Sequence, residues 1–323
     1  MQYRILGASD LKLSVIGLGT WAMGGEGWRF SWGPQVDEQS IKTIHHALDL
    51  GINWVDTAPI YGLGHAEEVV GKALAGLGEK PIIATKCSRK STPDGQLYSD
   101  LKKASILQEA EDSLRRLRCE VIDLYQIHWP KPATDLEEGW EAIAQLINDG
   151  KIRYGGVSNF AIEHMQRCHA LYPITSLQPP YSMLVRHIED GIIDYCDKNN
   201  IGLLAYSPMY KGLLTGAFNK QRLANLPATD HRREDLHFQE PELSANLQLV
   251  ERLGEIAKAR AITVAQLCIA WTLRHPQMTA AIVGGRRPQQ VDETAAAGDV
   301  VLSEAEIAEI EELLQQRQAR LRS

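Results

Sequence analysis

An eightfold alternation constrains this chain more than any other feature. Short apolar runs recur at Val15–Trp21, Ile52–Ala58, Pro81–Cys87, Asp123–Trp129, Tyr154–Phe160, Thr175–Ser182, Ile201–Pro208 and Ala280–Gly285. Helical periods lie between them. "DEQSIKTIHHALDLG" sets Ile41, Ile44 and Leu48 on one stripe, and Gly51 stands where a C-cap belongs. "ILQEAEDSLRRL", "EEGWEAIAQLINDG", "EDGIIDYCDKNN" and "LQLVERLGEIAKAR" behave alike, and Ser303 with Glu306 forms a capping box for a last helix. Strands alternating with helices imply a parallel sheet covered by helices. Eight units with nearly all-apolar strands predict an α/β fold, a closed (β/α)8 TIM barrel. A small hairpin, "YRILG" and "LKLS", precedes the first strand. No linker interrupts the pattern, so residues 1–323 read as one domain. Only Phe218–Asn246 breaks the rhythm; a polar stretch of that length reads as a functional lid or a disordered segment, and its place after the seventh strand puts it at the barrel mouth.

Composition narrows the partners. A formal net charge of −7 argues against a nucleic-acid surface or an anionic membrane. The densest basic run, "LRRLR" at Leu114–Arg118, falls inside a helical period and reads as a solvated face. No apolar run reaches membrane-spanning length, and the first residues lack the features of a signal peptide. Five scattered cysteines without C-x-x-C spacing suit reduced thiols, so the expected location is the cytoplasm. No metal site is expected. There is no H-E-x-x-H, His45 and His46 point different ways, and His164 with Cys168 lacks two further ligands.

Catalytic side chains of such barrels come from the C-terminal ends of several strands. Reading those ends gives Asp56, Lys86 and His128, with Tyr61 just beyond the first. Each alone has an ordinary explanation as a cap, a rim charge or a core edge. Together they make a proton donor. A phenol is a poor acid at neutral pH unless a nearby cation favours its ionised form. Lys86 would be that cation, Asp56 would hold it charged, and His128 would orient a substrate oxygen. The group suits carbonyl reduction, with Tyr61 protonating oxygen as hydride reaches carbon.

"DTAPIYG", "ATKC", "DLYQIHW" and "GVSNF", in this order along nearly the whole chain, resemble the signature segments of the aldo-keto reductase family. "GTWAMGGEGWRFSWG" and "GHAEEVVGKAL" most resemble its bacterial branch of inositol-operon and general-stress reductases. The resemblance implies reduction of aldehydes and ketones with NADP(H) and a tetrad of Asp56, Tyr61, Lys86 and His128. It further implies that Gly19, Thr20, Trp21 and Asp56 line the nicotinamide end. Ser158, Asn159 and Gln178 would bind the carboxamide, and nicotinamide would stack on Tyr206. Ser207, Pro208, Lys211, Gly212 and Leu213 match the pyrophosphate loop. Gly284, Gly285, Arg286, Gln290 and Glu293 match the adenosine-phosphate segment, while Thr294 departs from it, standing where many members carry an asparagine against adenine. The long C-terminal substrate loop of mammalian members has no counterpart here. Specificity is therefore expected from Trp21, Trp28, Phe30, Trp32, Trp129 and the loop after the seventh strand, although Trp28 and Trp32 fit plain packing as well.

One motif misleads. Gly17, Gly19 and Ala22 fit G-x-G-x-x-G/A, but "MGGEGWRFSWGPQ" follows where that dinucleotide fingerprint needs a helix. The expected partner is a small-molecule carbonyl compound, with the chain a monomer or homo-oligomer. A sugar or polyol dehydrogenase on the same site stays open, as does a cofactor-binding regulatory subunit with weak catalysis.

Overall fold

The structure, a computed structural model, describes residues 1–227 and 230–322. Antiparallel strands β1 (Tyr3–Ile5) and β2 (Lys12–Ser14) form the opening hairpin. The barrel begins with β3 (Ile16–Gly19), β4 (Trp54–Asp56) and β5 (Ile82–Cys87). After a side hairpin, β6 (Arg89–Ser91) and β7 (Leu97–Ser99), it continues with β8 (Ile122–Ile127), β9 (Ile152–Ser158) and β10 (Ser176–Gln178). β11 (Gly202–Tyr206) and β12 (Met278–Gly284) complete it, and β12 pairs in parallel with β3 to close the ring. The expected (β/α)8 barrel is the fold observed.

Around it lie α1 (Asp37–Asp49), α2 (His65–Leu74), α3 (Lys103–Leu117), α4 (Leu136–Asn148), α5 (Ile162–His169) and α6 (Ile192–Lys198). They are followed by α7 (Lys220–Ala224), α8 (Glu242–Ala259), α9 (Val264–Thr272), α10 (Pro288–Ala295) and α11 (Glu304–Arg322). In α1, Ile44 is buried and Ile41 and Leu48 pack half-buried against the core, while Gly51 takes a φ of 85° beyond the helix end. The Ser303–Glu306 box forms at α11. Sequence periodicity gave no sign of α9. Seven of its nine residues are buried, so no polar face marks its turn, and its signal is the capping box of Thr263 with Gln266.

The hairpin plugs the N-terminal end of the barrel. Leu6, Leu11 and Leu13 join Trp54, Ala84, Leu124, Leu204, Ala280 and Ile282 in one buried cluster. The Trp54 indole donates to the Ser14 carbonyl at 2.9 Å, and Arg4 caps the carbonyls of Leu273, His275 and Met278. With this end closed, chemistry is left to the C-terminal mouth.

Phe218–Asn246 is not a plain loop. It holds α7 and two 3-10 turns (His231–Glu234, Leu236–Phe238), and its last residues already belong to α8. Ala228 and Thr229 lie outside the described residues. Phe218 and Phe238 pack with Leu213 and Leu243 in a separate buried cluster, which the polar sequence average concealed.

A buried acid makes stability depend on pH. Glu109 of α3 accepts the Ser88 backbone N–H at 3.0 Å and the Ser105 hydroxyl at 3.1 Å. Burial, opposed chiefly by Lys90, pushes its carboxyl from 4.5 up to about 7. The folded-state value is raised, so this stabilisation is fully present below pH 4.5 and is lost as pH rises through about 7. Glu109→Gln should remove that dependence. The stability difference between parent and variant should change by on the order of 3 kcal/mol over this window. Urea titrations at several pH values check it; parallel curves would contradict the assignment.

Candidate active site

The three strands β3, β4 and β5 end side by side, with Gly19 opposite Asp56 and Asp56 opposite Ala84. Asp56 and Lys86 are both buried, and their charges meet. Lys86 Nζ donates to Asp56 Oδ1 at 2.7 Å, to Oδ2 at 2.8 Å and to the Thr57 carbonyl at 2.9 Å. All three ammonium hydrogens are thereby used. The cation also lies 5.2 Å from the Tyr61 ring centroid. Tyr61 is placed by a close crossing of two loops. A Cβ on Gly62 would sit 2.0 Å from the Gly24 carbonyl oxygen, and one on Gly24 would sit 2.7 Å from the Gly62 nitrogen. Only glycine at both positions lets the loops after β3 and β4 touch.

His128 turns its ring edge to Tyr61, centroids 6.1 Å apart at 81°. Burial, aided by Lys86 and Arg89, holds its imidazole well below the usual range, so it is neutral at physiological pH. The structure thus gathers Asp56, Tyr61, Lys86 and His128 at one mouth. It differs from the sequence-based expectation in one respect. Tyr61 is not made more acidic: burial first, then the Asp56 charge, push its phenol well above 10. Burial also draws the Lys86 ammonium downward, against the pull of Asp56.

Sequence reading missed how this network extends. Gln178 Nε2 donates to Asp56 Oδ2 at 2.8 Å and to Gln126 Oε1 at 3.3 Å, so a residue expected at the carboxamide also braces the ion pair. Ser158 Oγ donates to the Gln178 carbonyl, Asn159 Nδ2 to Ser158 Oγ and to the His128 carbonyl. The Tyr206 hydroxyl donates to Asn159 Oδ1 at 2.8 Å, which fixes the half-buried Tyr206 ring. Asn159 manages this with a φ of 61°, a left-handed conformation that asparagine tolerates better than most residues.

The residues expected at a dinucleotide are not equally free. Gly284 of β12 pairs with Gly19 of β3, so both strands end on glycine, with the Ile282 side chain against Gly19. Past β11, Ser207, Tyr210, Lys211 and Gly212 all have positive φ, and Lys211 Nζ is held by Asp235 at 2.6 Å. Leu213 and Pro208 are buried, so only their backbones can serve. Thr20 Oγ1 donates to the Asp56 carbonyl, and the buried Thr294 hydroxyl donates to the Gln290 carbonyl inside α10. Glu293 and Gln290 are exposed. Gln290 Oε1 accepts the Arg286 backbone N–H, and a Cβ on Gly285 would press on Val291 at 2.8 Å. Arg286 spends Nε on Gln35, one terminal nitrogen on the Trp32 carbonyl and the other on the Pro34 carbonyl. Two of its five N–H groups remain. Arg287 is exposed.

Of the expected substrate residues, Trp21 is central. Its ring lies 5.6 Å from Tyr61, 5.8 Å from Trp28 and 6.2 Å from Phe30. Leu97 of β7 and His231 also reach this aromatic cluster, and neither was singled out from sequence. Trp32 stands apart, under the Arg232 guanidinium at 5.2 Å. Trp129 is partly exposed after β8. Among the described residues no cluster of three His, Cys, Asp or Glu could hold a metal ion, and no helix is long and apolar enough to cross a membrane.

A plugged barrel with a Tyr-Lys-Asp-His mouth is the framework of an oxidoreductase that works with a nicotinamide. The chain belongs to the aldo/keto reductase family, whose sequence profile matches residues 15–315. Its enzymes are nicotinamide-dependent oxidoreductases. The structure is similar to that of a glycerol dehydrogenase from Gluconobacter oxydans, with TM-score 0.88 and 39% identity over 98% of this chain and 95% of that one. It is also similar to an aldo/keto reductase from Klebsiella pneumoniae solved with NADP and acetate (TM-score 0.73, 30% identity, 96% and 94% covered). In sequence it is 33% identical to the NADH-specific methylglyoxal reductase of Escherichia coli, over 95% of this chain and 97% of that protein.

Proposed function

We propose that this chain reduces aldehydes or ketones to alcohols at the Tyr61 mouth, with Tyr61 as proton donor. Bound NADPH would supply the hydride to the carbonyl carbon. The residues present fit such a cofactor: β3 and β12 end on the paired glycines Gly19 and Gly284, the Tyr206 ring is fixed, and Ser158, Asn159 and Gln178 form one hydrogen-bonded group with it. Tyr61 stays protonated through the physiological range because burial raises its pKa, which is the state a donor must start from. An alkoxide forming on the substrate is a stronger base than the phenolate left behind, so the proton moves downhill. Neutral His128 offers a hydrogen bond to the same oxygen without competing as an acid.

The observation that carries this reading is the buried Lys86–Asp56 pair, saturated with hydrogen bonds directly beneath the Tyr61 ring. Following nicotinamide absorbance over a panel of aldehydes and keto-sugars in single turnover tests it. No hydride transfer to any of them would leave only a binding module. The free cysteines, all buried except the half-buried Cys119, and small-molecule chemistry fit a cytoplasmic enzyme without a nucleic-acid partner.

Cofactor choice turns on Arg286. Its two uncommitted N–H groups suit a 2′-phosphate through charge-assisted hydrogen bonds, at about 1.5–3 kcal/mol each. Arg286→Ala should therefore weaken NADPH by roughly tenfold or more while NADH affinity changes little. The three bonds to Trp32, Pro34 and Gln35 are lost for both cofactors alike, so they cancel in the ratio. Equal losses in fluorescence titrations with NADPH and NADH would remove Arg286 from phosphate recognition.

A further inference from the structure

His231 lies on the segment after β11, and nothing in the mechanism above uses it. Its ring stacks near Trp21, centroids 6.0 Å apart at 23°, and meets Phe30 edge-on at 5.6 Å. Trp21 in turn lies 5.6 Å from Tyr61. Both imidazole nitrogens are buried, and among the described residues neither has a hydrogen-bond partner. Leaving two buried polar atoms unpaired costs about 1–3 kcal/mol each. Folding alone would favour a leucine or phenylalanine against these aromatic walls.

We propose that His231 is a specificity-determining residue that hydrogen-bonds a hydroxyl of the substrate, so that the site takes polyhydroxylated aldehydes and ketones of several carbons. The proposal rests on the reductase reading given above. Burial, with the Lys211 charge, holds the imidazole down at about 4, so at neutral pH the ring carries one donor and one acceptor. A hydroxyl is likewise both donor and acceptor, and it satisfies such a ring better than an ether, a second carbonyl or a carboxylate. Trp21 packs against both His231 and Tyr61, so the two groups border one aromatic wall. A site built to bond a hydroxyl rejects an analogue without one, because its own polar atoms are then left unpaired.

The test compares D-erythrose with butanal, equal in carbon number, in the parent, His231→Leu and His231→Asn. The parent should favour erythrose. His231→Leu should raise the KM for erythrose by about tenfold with kcat little changed, and leave butanal unaffected or improved. His231→Asn, which restores a donor and an acceptor, should recover most of the loss. The leucine variant should melt no lower than the parent, since it removes two unpaired polar atoms, and its NADPH affinity by fluorescence titration should be unchanged. Equal effects on both aldehydes, a lowered melting temperature or weakened NADPH binding would each overturn the proposal. A parent that reduces butanal while His231→Leu leaves erythrose unaltered defeats this inference alone. A parent that reduces neither aldehyde nor any member of the wider panel defeats the reductase reading with it.

Discussion

Tyr61→Phe is expected to reduce the rate of carbonyl reduction by roughly a hundredfold or more while NADPH binds with near-parent affinity. The substitution removes one hydroxyl and keeps the ring that packs beside Trp21 at 5.6 Å and Trp28 at 6.2 Å, so the aromatic cluster should survive. A hundredfold corresponds to about 2.7 kcal/mol of barrier, within what general-acid catalysis supplies. The pH profile of the parent carries a second signature. With the Tyr61 phenol pushed above 10 and His128 held below 6.5, kcat/KM for reduction should be flat from about pH 7 to about pH 9. Turnover of Tyr61→Phe within threefold of the parent would exclude the phenol as donor. An alkaline limb in the parent near pH 8 would show instead that the Lys86 charge does reach it.

Lys86→Met should have the largest effect on stability. It leaves the buried Asp56 carboxylate without its cation, and breaking one side of a buried pair costs about 3–5 kcal/mol. Activity should fall as well, since Asp56 would draw protons or water into the site. Adding Asp56→Asn to Lys86→Met removes the stranded charge and keeps an acceptor for Gln178 Nε2. This double variant should regain most of the stability and none of the activity. Chemical denaturation beside turnover measurements separates the two effects. A double variant as unstable as Lys86→Met would mean that packing of the lysine stem, not its charge, sustains the barrel mouth.

The barrel was legible because parallel strands are buried on both faces and read as continuous apolar runs, each followed by an amphipathic period. The tetrad was legible for a related reason. Polar residues at the ends of such runs are costly unless paired, so Asp56 and Lys86 advertise each other across thirty residues of chain. Helix α9 was not legible, because burial on all sides erases the period that marks a helix at a surface. Nor was His231, which sits in a polar stretch whose sequence carries no repeat at all.

The sequence by itself determined the fold class, the opening hairpin and the four residue types at successive strand mouths. Tertiary structure alone decided how the charges among them balance. Lys86 spends its three hydrogens on Asp56 and Thr57, so Tyr61 feels desolvation more than a cation, and Arg286 spends three donors on the loop at Trp32–Gln35. A residue's type fixes how many hydrogen bonds it can make. Which partners take them depends on distances and burial across elements far apart in the chain, and those exist only after folding.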